Sequence, residues 1–278
     1  MLVAVFSLKG SPGVTTLALA LAARWPEGPQ PVVVECDPAG GDLVARFRLE
    51  QAPGLVSLAA AGRRGRDPRV LWQHTQKLPG GLPLVVGPVG AKQARATLAE
   101  LAQHPTSVLR AAADTTESVV IADCGRVDPD SPAMPIVRSA DAMLLVTRAR
   151  DDQLAHVSGM LHAVARWGRR PGLLVVGDGY STGEIERALG VKVMGRIPED
   201  PKGAAALAGQ PGSGHGPSRS SVGRAAARVA AQLVTQHAPT SVTAPQAPAA
   251  PAPERVLSGP SQLDDADLRA VHRNGVRP

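Results

Sequence analysis

The sequence predicts an α/β fold in which a mainly parallel sheet carries helices on both faces. Three observations carry this expectation. Short apolar segments alternate with helical ones along most of the chain. A Gly-rich turn joins the first strand to the first helix. Hydrophobic residues make up 44% of the chain while aromatics make up 2%, so the core must be Ala, Val and Leu, the residues that suit strands buried on both faces.

The elements follow in order. Residues 2–6, Leu-Val-Ala-Val-Phe, read as a buried strand. Residues 15–24 read as an Ala- and Leu-rich helix stopped by Pro26. Further apolar strands are expected at 32–34, 82–86, 118–122, 142–146, 172–176 and 191–196, with helices at 91–103, 107–114, 151–167, 182–189 and 220–236. The stretch 209–221, rich in Gly and Ser, reads as a mobile loop. Composition changes at His237. Residues 238–253 are almost all Ala, Pro, Thr, Ser and Gln without charge, which marks a linker extending to about 260. Residues 261–278 form a short tail, in which Leu263, Ala266, Ala270 and Val271 would share one face of a helix. The organisation expected is thus a folded domain over 1–237, a linker over 238–260 and the tail.

Basic residues exceed acidic ones by 6. The tail is balanced, so the excess lies on the folded part, with Arg63, Arg64, Arg66 and Arg69 as one cluster and Arg219, Arg224 and Arg228 as another. Such a surface suits a polyanion, nucleic acid among them. The two cysteines, Cys36 and Cys124, form no disulfide framework and no metal spacing; they read as small core residues in a cytoplasmic, reducing setting. The seven histidines show no metal spacing either. The chain opens on an apolar strand without a basic leader, so no signal peptide is expected. No apolar run reaches the ~20 residues that span a bilayer. Peripheral membrane contact stays open.

The chemistry concentrates at three strand ends. The turn Lys9-Gly10-Ser11-Pro12-Gly13-Val14-Thr15-Thr16 lies between a strand and a helix, where inward N–H groups and the helix dipole make an anion site. A standard phosphate loop ends in Gly-Lys-Ser/Thr. Here Gly10 and Gly13 supply the turn and Thr15 stands at the Mg²⁺-ligand position, but Val14 occupies the lysine position and cannot pair with a phosphate. The second strand end reads Glu35-Cys36-Asp37-Pro38-Ala39-Gly40-Gly41-Asp42, and the end of the fourth apolar strand, 118–122, reads Ala122-Asp123-Cys124-Gly125.

These three stretches together resemble the ParA/MinD family of P-loop ATPases. Lys9 resembles the early lysine of that family's deviant Walker motif, which reaches across a nucleotide-sandwich homodimer to the partner's phosphates. The resemblance implies roles residue by residue. Lys9 and Asp37 would be catalytic, Asp37 by positioning the attacking water. Lys9, Gly10, Ser11, Gly13, Val14, Thr15 and Thr16 would line the ATP phosphates, and Thr15 and Asp123 would hold Mg²⁺. Glu35 stands where the family has the first Asp of its second motif. Residues Asp178-Gly179-Tyr180-Ser181 fall where the family recognises the base, without its usual Asn. The resemblance spans residues 1–236, and Ser11 and Val14 are its two departures in the loop.

The function expected is a nucleotide-dependent positioning or partitioning protein with weak ATP binding and slow or absent hydrolysis. Its partners would be DNA or a cell-positioning or secretion machine. A non-catalytic CpaE-like scaffold of the same fold is the alternative. A metabolic enzyme of the wider fold group is the third reading; such enzymes retain the loop lysine and lack the early one, the reverse of this pattern.

Overall fold

The computed structural model describes residues 1–102, 107–168, 170–210 and 216–237. The expected linker at 238–260 and tail at 261–278 lie outside these residues, as does the middle of the 209–221 stretch.

Eight strands form one sheet: β1 (Leu2–Ser7), β2 (Gln30–Glu35), β3 (Gln76–Lys77), β4 (Pro83–Val85), β5 (Ser118–Arg126), β6 (Ala142–Arg148), β7 (Pro171–Val176) and β8 (Val193–Ile197). Their order is β3-β4-β2-β5-β1-β6-β7-β8, and every pair is parallel except β3 with β4. The chain moves outward from β1 to β2 and β4, returns through β5, and only then crosses to β6. The carboxyl end of β1 therefore sits at the crevice where open α/β sheets bind ligands.

The helices are α1 (Val14–Ala23), α2 (Leu43–Phe47), α3 (Leu55–Gly62), α4 (Val70–Gln73), α5 (Ala91–Ala102), α6 (Val108–Ala113), α7 (Met134–Ser139), α8 (Asp151–Ala165), α9 (Thr182–Leu189), α10 (Pro201–Leu207) and α11 (Ser221–His237). Sequence reasoning missed α2, α3, α4, α7, α10 and the antiparallel edge β3. Five of these helices span eight residues or fewer, too short for the 3.6-residue period to stand out. The sixth omission, β3, is two residues long.

Alternation along each strand builds two cores. Leu2, Ala4 and Phe6 join one cluster with Val32, Val34, Val120 and Ala122. Val3 and Val5 join the other with Val33, Val119 and Ile121. Helix α1 is apolar all round because it is covered all round, by the sheet beneath and by α10 and α11. Cys36 and Cys124 are fully buried in the first core, and burial pushes both thiols well above their ordinary range. They are packing residues, as their place in the sequence suggests.

Candidate functional site

The turn after β1 is shaped by two glycines in the left-handed region, Gly10 at φ 71° and Gly13 at φ 97°. Gly13 is the N-cap of α1, and no side chain caps that helix. The first-turn N–H groups of α1 thus have no helical acceptor and face a cleft of about 500 Å³. Its wall includes Gly10, Ser11, Gly13, Val14, Thr15 and Thr16 from this turn, Asp37 and Asp42 from the loop after β2, and Gly125 and Arg126 from the end of β5. The structure thus gathers the expected loop residues and Asp37 around one opening. Lys9 is exposed and stands outside the wall.

Sheet register sets the floor. Asp123 pairs with Val5 on one side and Glu35 on the other. It is fully buried. Its Oδ1 accepts the Gly125 N–H at 3.2 Å, while Oδ2 is buried without a partner. Burial pushes this carboxyl up to about 7 against the opposing pull of the Thr15 hydroxyl and the Gly125 N–H. Thr15 and Gly125, the two residues whose groups act on this carboxyl, both reach the cleft wall. Among the described residues no group of three or more His, Cys, Asp and Glu could hold a metal alone. A Mg²⁺ ion needs no such cage: it takes one or two protein ligands and completes its shell with phosphate oxygens and water. The Thr15–Asp123 pair, with a spare carboxyl oxygen, fits that demand.

Asp37 is half-buried, and its Oδ1 accepts the Ala39 N–H at 2.7 Å. Burial raises its pKa; Ala39 opposes this, Asp42 adds to it, and the Arg126 guanidinium lowers it. Gly125 is tied to Asp37 by space. Its φ is +57°, and a Cβ there would lie 2.0 Å from Asp37 Oδ2. Only glycine allows the two strand ends to approach so closely.

Glu35 does something the sequence did not reveal. Its carboxylate is 2% exposed and accepts three backbone N–H groups, from Asp42 at 2.7 Å, Leu43 at 3.1 Å and Gly87 at 2.8 Å. Burial raises its pKa, and those N–H groups hold it down. A Cβ on Gly41 would lie 2.3 Å from Glu35 Oε2. Glu35 therefore locks the loop that carries Asp37 and ties it to the end of β4. The glycines at 41 and 87 were the available signal, since each leaves room for this side chain.

Val14 is 6% exposed and packs into the second core. It contributes backbone, not charge, to the cleft. Arg46, a cation of the cleft wall, is paired with Asp42 at 2.8 Å.

A second cleft of about 410 Å³ lies on the other flank of the turn, lined by Ser11, Thr16, Arg148, Glu199 and Asp200 among others. Arg148 and Glu199 form an ion pair there at 2.5 Å. Asp200 caps two helices at once, accepting from Gly203 at 2.8 Å and from Ser221 N–H at 2.7 Å. Residues 178–181 do not line either cleft. The Arg196 guanidinium holds that segment by donating to the Gly177 and Tyr180 carbonyls, and the Tyr180 hydroxyl donates to Asp151 at 2.5 Å. The basic clusters are partly neutralised: Arg63 pairs with Glu100 and Arg69 with Asp67, whereas Arg64, Arg66, Arg224 and Arg228 are exposed without an ion pair among the described residues. No helix of the described residues is long and apolar enough to cross a membrane.

No protein-family model matches the chain, and no curated protein does. Solved structures do. A ParA family ATPase from Chlorobium tepidum TLS superposes with a TM-score of 0.65 at 17% identity, covering 83% of this chain and 98% of the other. The cell division ATPase MinD of Pyrococcus furiosus gives 0.64 at 19% identity, with 84% and 98% covered. The septum site-determining protein MinD of Pyrococcus horikoshii, solved with Mg-ADP, gives 0.63 at 18% identity, with 84% and 95% covered. The fold is that of the ParA/MinD P-loop ATPases.

Proposed function

We propose that this chain, having the ParA/MinD fold, is a nucleotide-dependent positioning or partitioning protein that binds Mg·ATP weakly and hydrolyses it slowly or not at all. One observation carries the reading. Thr15, in the wall of a cleft faced by helix N–H groups, acts on the fully buried Asp123 carboxyl, whose Oδ2 has no hydrogen-bond partner among the described residues, while Val14 at the lysine position packs into the core. When bound, Mg²⁺ supplies charge neutralisation to phosphate oxygens. Thr15 and Asp123 would hold it, the N–H groups of Gly13 to Thr16 would cradle the phosphates, and Asp37 would position water. Lys9, exposed and outside the cleft wall, suits action on a second copy of the chain in a homodimer. Without a loop lysine the transition state lacks a charge-assisted contact, a loss of about one to two orders of magnitude in rate or more.

The burial of Val14 favours a second reading, a CpaE-like scaffold in which the fold is kept and nucleotide is not used. Calorimetric titration of the whole chain with Mg·ATP and Mg·ADP separates the two, with sedimentation run alongside. Binding with nucleotide-linked dimerisation supports the first. Dimers indifferent to nucleotide, with no heat of binding, support the scaffold.

A further inference from the structure

The cleft as built is short of positive charge. Asp37, Asp42 and Asp123 stand in or beneath its wall, and Arg46 is already committed to Asp42 at 2.8 Å. Val14 brings none, and Lys9 lies outside. Arg126 is the exception. It stands in the wall at the end of β5, and its backbone pairs with Ser7, two residues before Lys9. The ladder between β1 and β5 shifts register between Val5 and Ser7, and Gly125 adopts its positive φ at the same level. A bulge of this kind re-aims the side chain that follows it. Among the described residues, Arg126 makes no ion pair and its guanidinium no hydrogen bond, yet it is close enough to Asp37 to lower that carboxyl. An uncommitted guanidinium beside uncapped helix N–H groups is a fork for phosphate oxygens, which it binds two at a time where a lysine would act as a point charge.

We propose that Arg126 is the phosphate-binding cation of this cleft, taking over in the same subunit the charge that the loop lost at Val14, and that its ligand is the phosphate chain of a Mg²⁺-bound nucleoside di- or triphosphate. This rests on the nucleotide-binding reading above and adds to it the residue on which affinity turns. Arg126, at the end of β5, and the N-terminus of α1 belong to the same wall, so both would meet the phosphates.

The test is calorimetry with Mg·ADP and with Mg·pyrophosphate on the full chain, comparing wild type, Arg126→Ala, Arg126→Lys and Arg64→Ala. Arg126→Ala is expected to weaken Mg·ADP by roughly 10- to 100-fold, and pyrophosphate by the same factor, since the contact is to phosphate and not to the base. Arg126→Lys recovers part of the loss. Arg64→Ala, which removes an exposed charge elsewhere, leaves affinity unchanged. Arg126 is exposed, so the variants keep the wild-type melting temperature. Wild-type binding that Arg126→Ala leaves intact overturns the inference and spares the nucleotide reading. Absence of binding by wild type to either probe overturns both.

Discussion

Two loops meet at the cleft, and they are held in opposite ways. The loop after β2 is locked from within: Glu35 takes three of its N–H and neighbouring N–H groups, and the glycines at 41 and 87 make room for the carboxylate. The loop after β1 has no comparable side-chain clamp. Two left-handed glycines set its turn, and its helix N-terminus is uncapped. The difference teaches what each position asks of its side chain. Val14 gives its side chain to the second core and leaves the turn to the glycines. Glu35 satisfies three backbone N–H groups, and no apolar side chain could do that.

The sharpest way to break this contrast is Glu35→Ala. It leaves three N–H groups without an acceptor, each costing about 1–3 kcal/mol, so a loss of roughly 5 kcal/mol is expected. Urea unfolding measures it. Glu35→Gln keeps one acceptor oxygen and should lose distinctly less. Equal and small losses for both would mean that the clamp is ornamental and that the loops do not differ as argued.

Asp123 sits between the two loops and gives the next effect. In the folded chain its carboxyl holds a proton up to about pH 7, whereas its ordinary value is 3.8. The folded state therefore binds more protons than the unfolded state between those values, and stability falls as pH rises from 4 to 7. The upper bound is about 4 kcal/mol, at ~1.36 kcal/mol per pH unit. Asp123→Asn cannot ionise. It should melt higher than wild type at pH 8 and close to it at pH 4, while Mg²⁺ no longer strengthens nucleotide binding. A stability difference between the two proteins that is flat with pH would remove this carboxyl from the account.

Val14→Lys tests the freer loop. A lysine placed where valine is 6% exposed must bury part of its chain in the second core or turn into the cleft. The ligand-free variant should lose about 1–3 kcal/mol, the usual cost of overfilling a packed site. Saturating Mg·ADP should then raise its melting temperature by more than it raises that of wild type, since the new cation meets phosphate. A variant that melts lower and gains nothing from nucleotide would show that the core has closed over the position for good.

Much of this was legible beforehand, and the exceptions share a cause. The parallel sheet was readable because buried strands such as 2–6 and 118–122 are unbroken apolar runs. The cleft was readable because Gly10, Gly13, Thr15, Asp37 and Asp123 each lie at a strand end or helix start whose order along the chain is fixed. Glu35 was visible as a residue type but not as a clamp, since its three donors come from residues 42, 43 and 87 and only folding brings them together. Val14 was visible as an apolar residue at the lysine position; that its side chain packs into the second core comes only with folding. Arg126 escaped notice because one arginine among many has no periodicity, and only folding sets the end of β5 beside Ser7 in the cleft wall.

The smallest effect concerns a surface remote from both loops. Arg224 and Arg228 are exposed on α11 and four residues apart, so they share a face. If DNA is the polyanion that the basic surface serves, each of these cations neutralises about one phosphate. Reversing both to Glu should then reduce the slope of log affinity against log salt by about 1.8, since each phosphate contact contributes roughly 0.9. Retention on non-specific duplex, measured across salt concentrations, reads this directly. Melting temperature and Mg·ADP affinity should stay within error, because among the described residues neither forms an ion pair or lines the cleft. A double reversal that leaves the slope untouched assigns any DNA contact to another face, with Arg64 and Arg66 next. A reversal that alters nucleotide affinity instead would mean that α11, packed on α1, reports to the looser of the two loops, and the contrast between them would extend beyond the cleft.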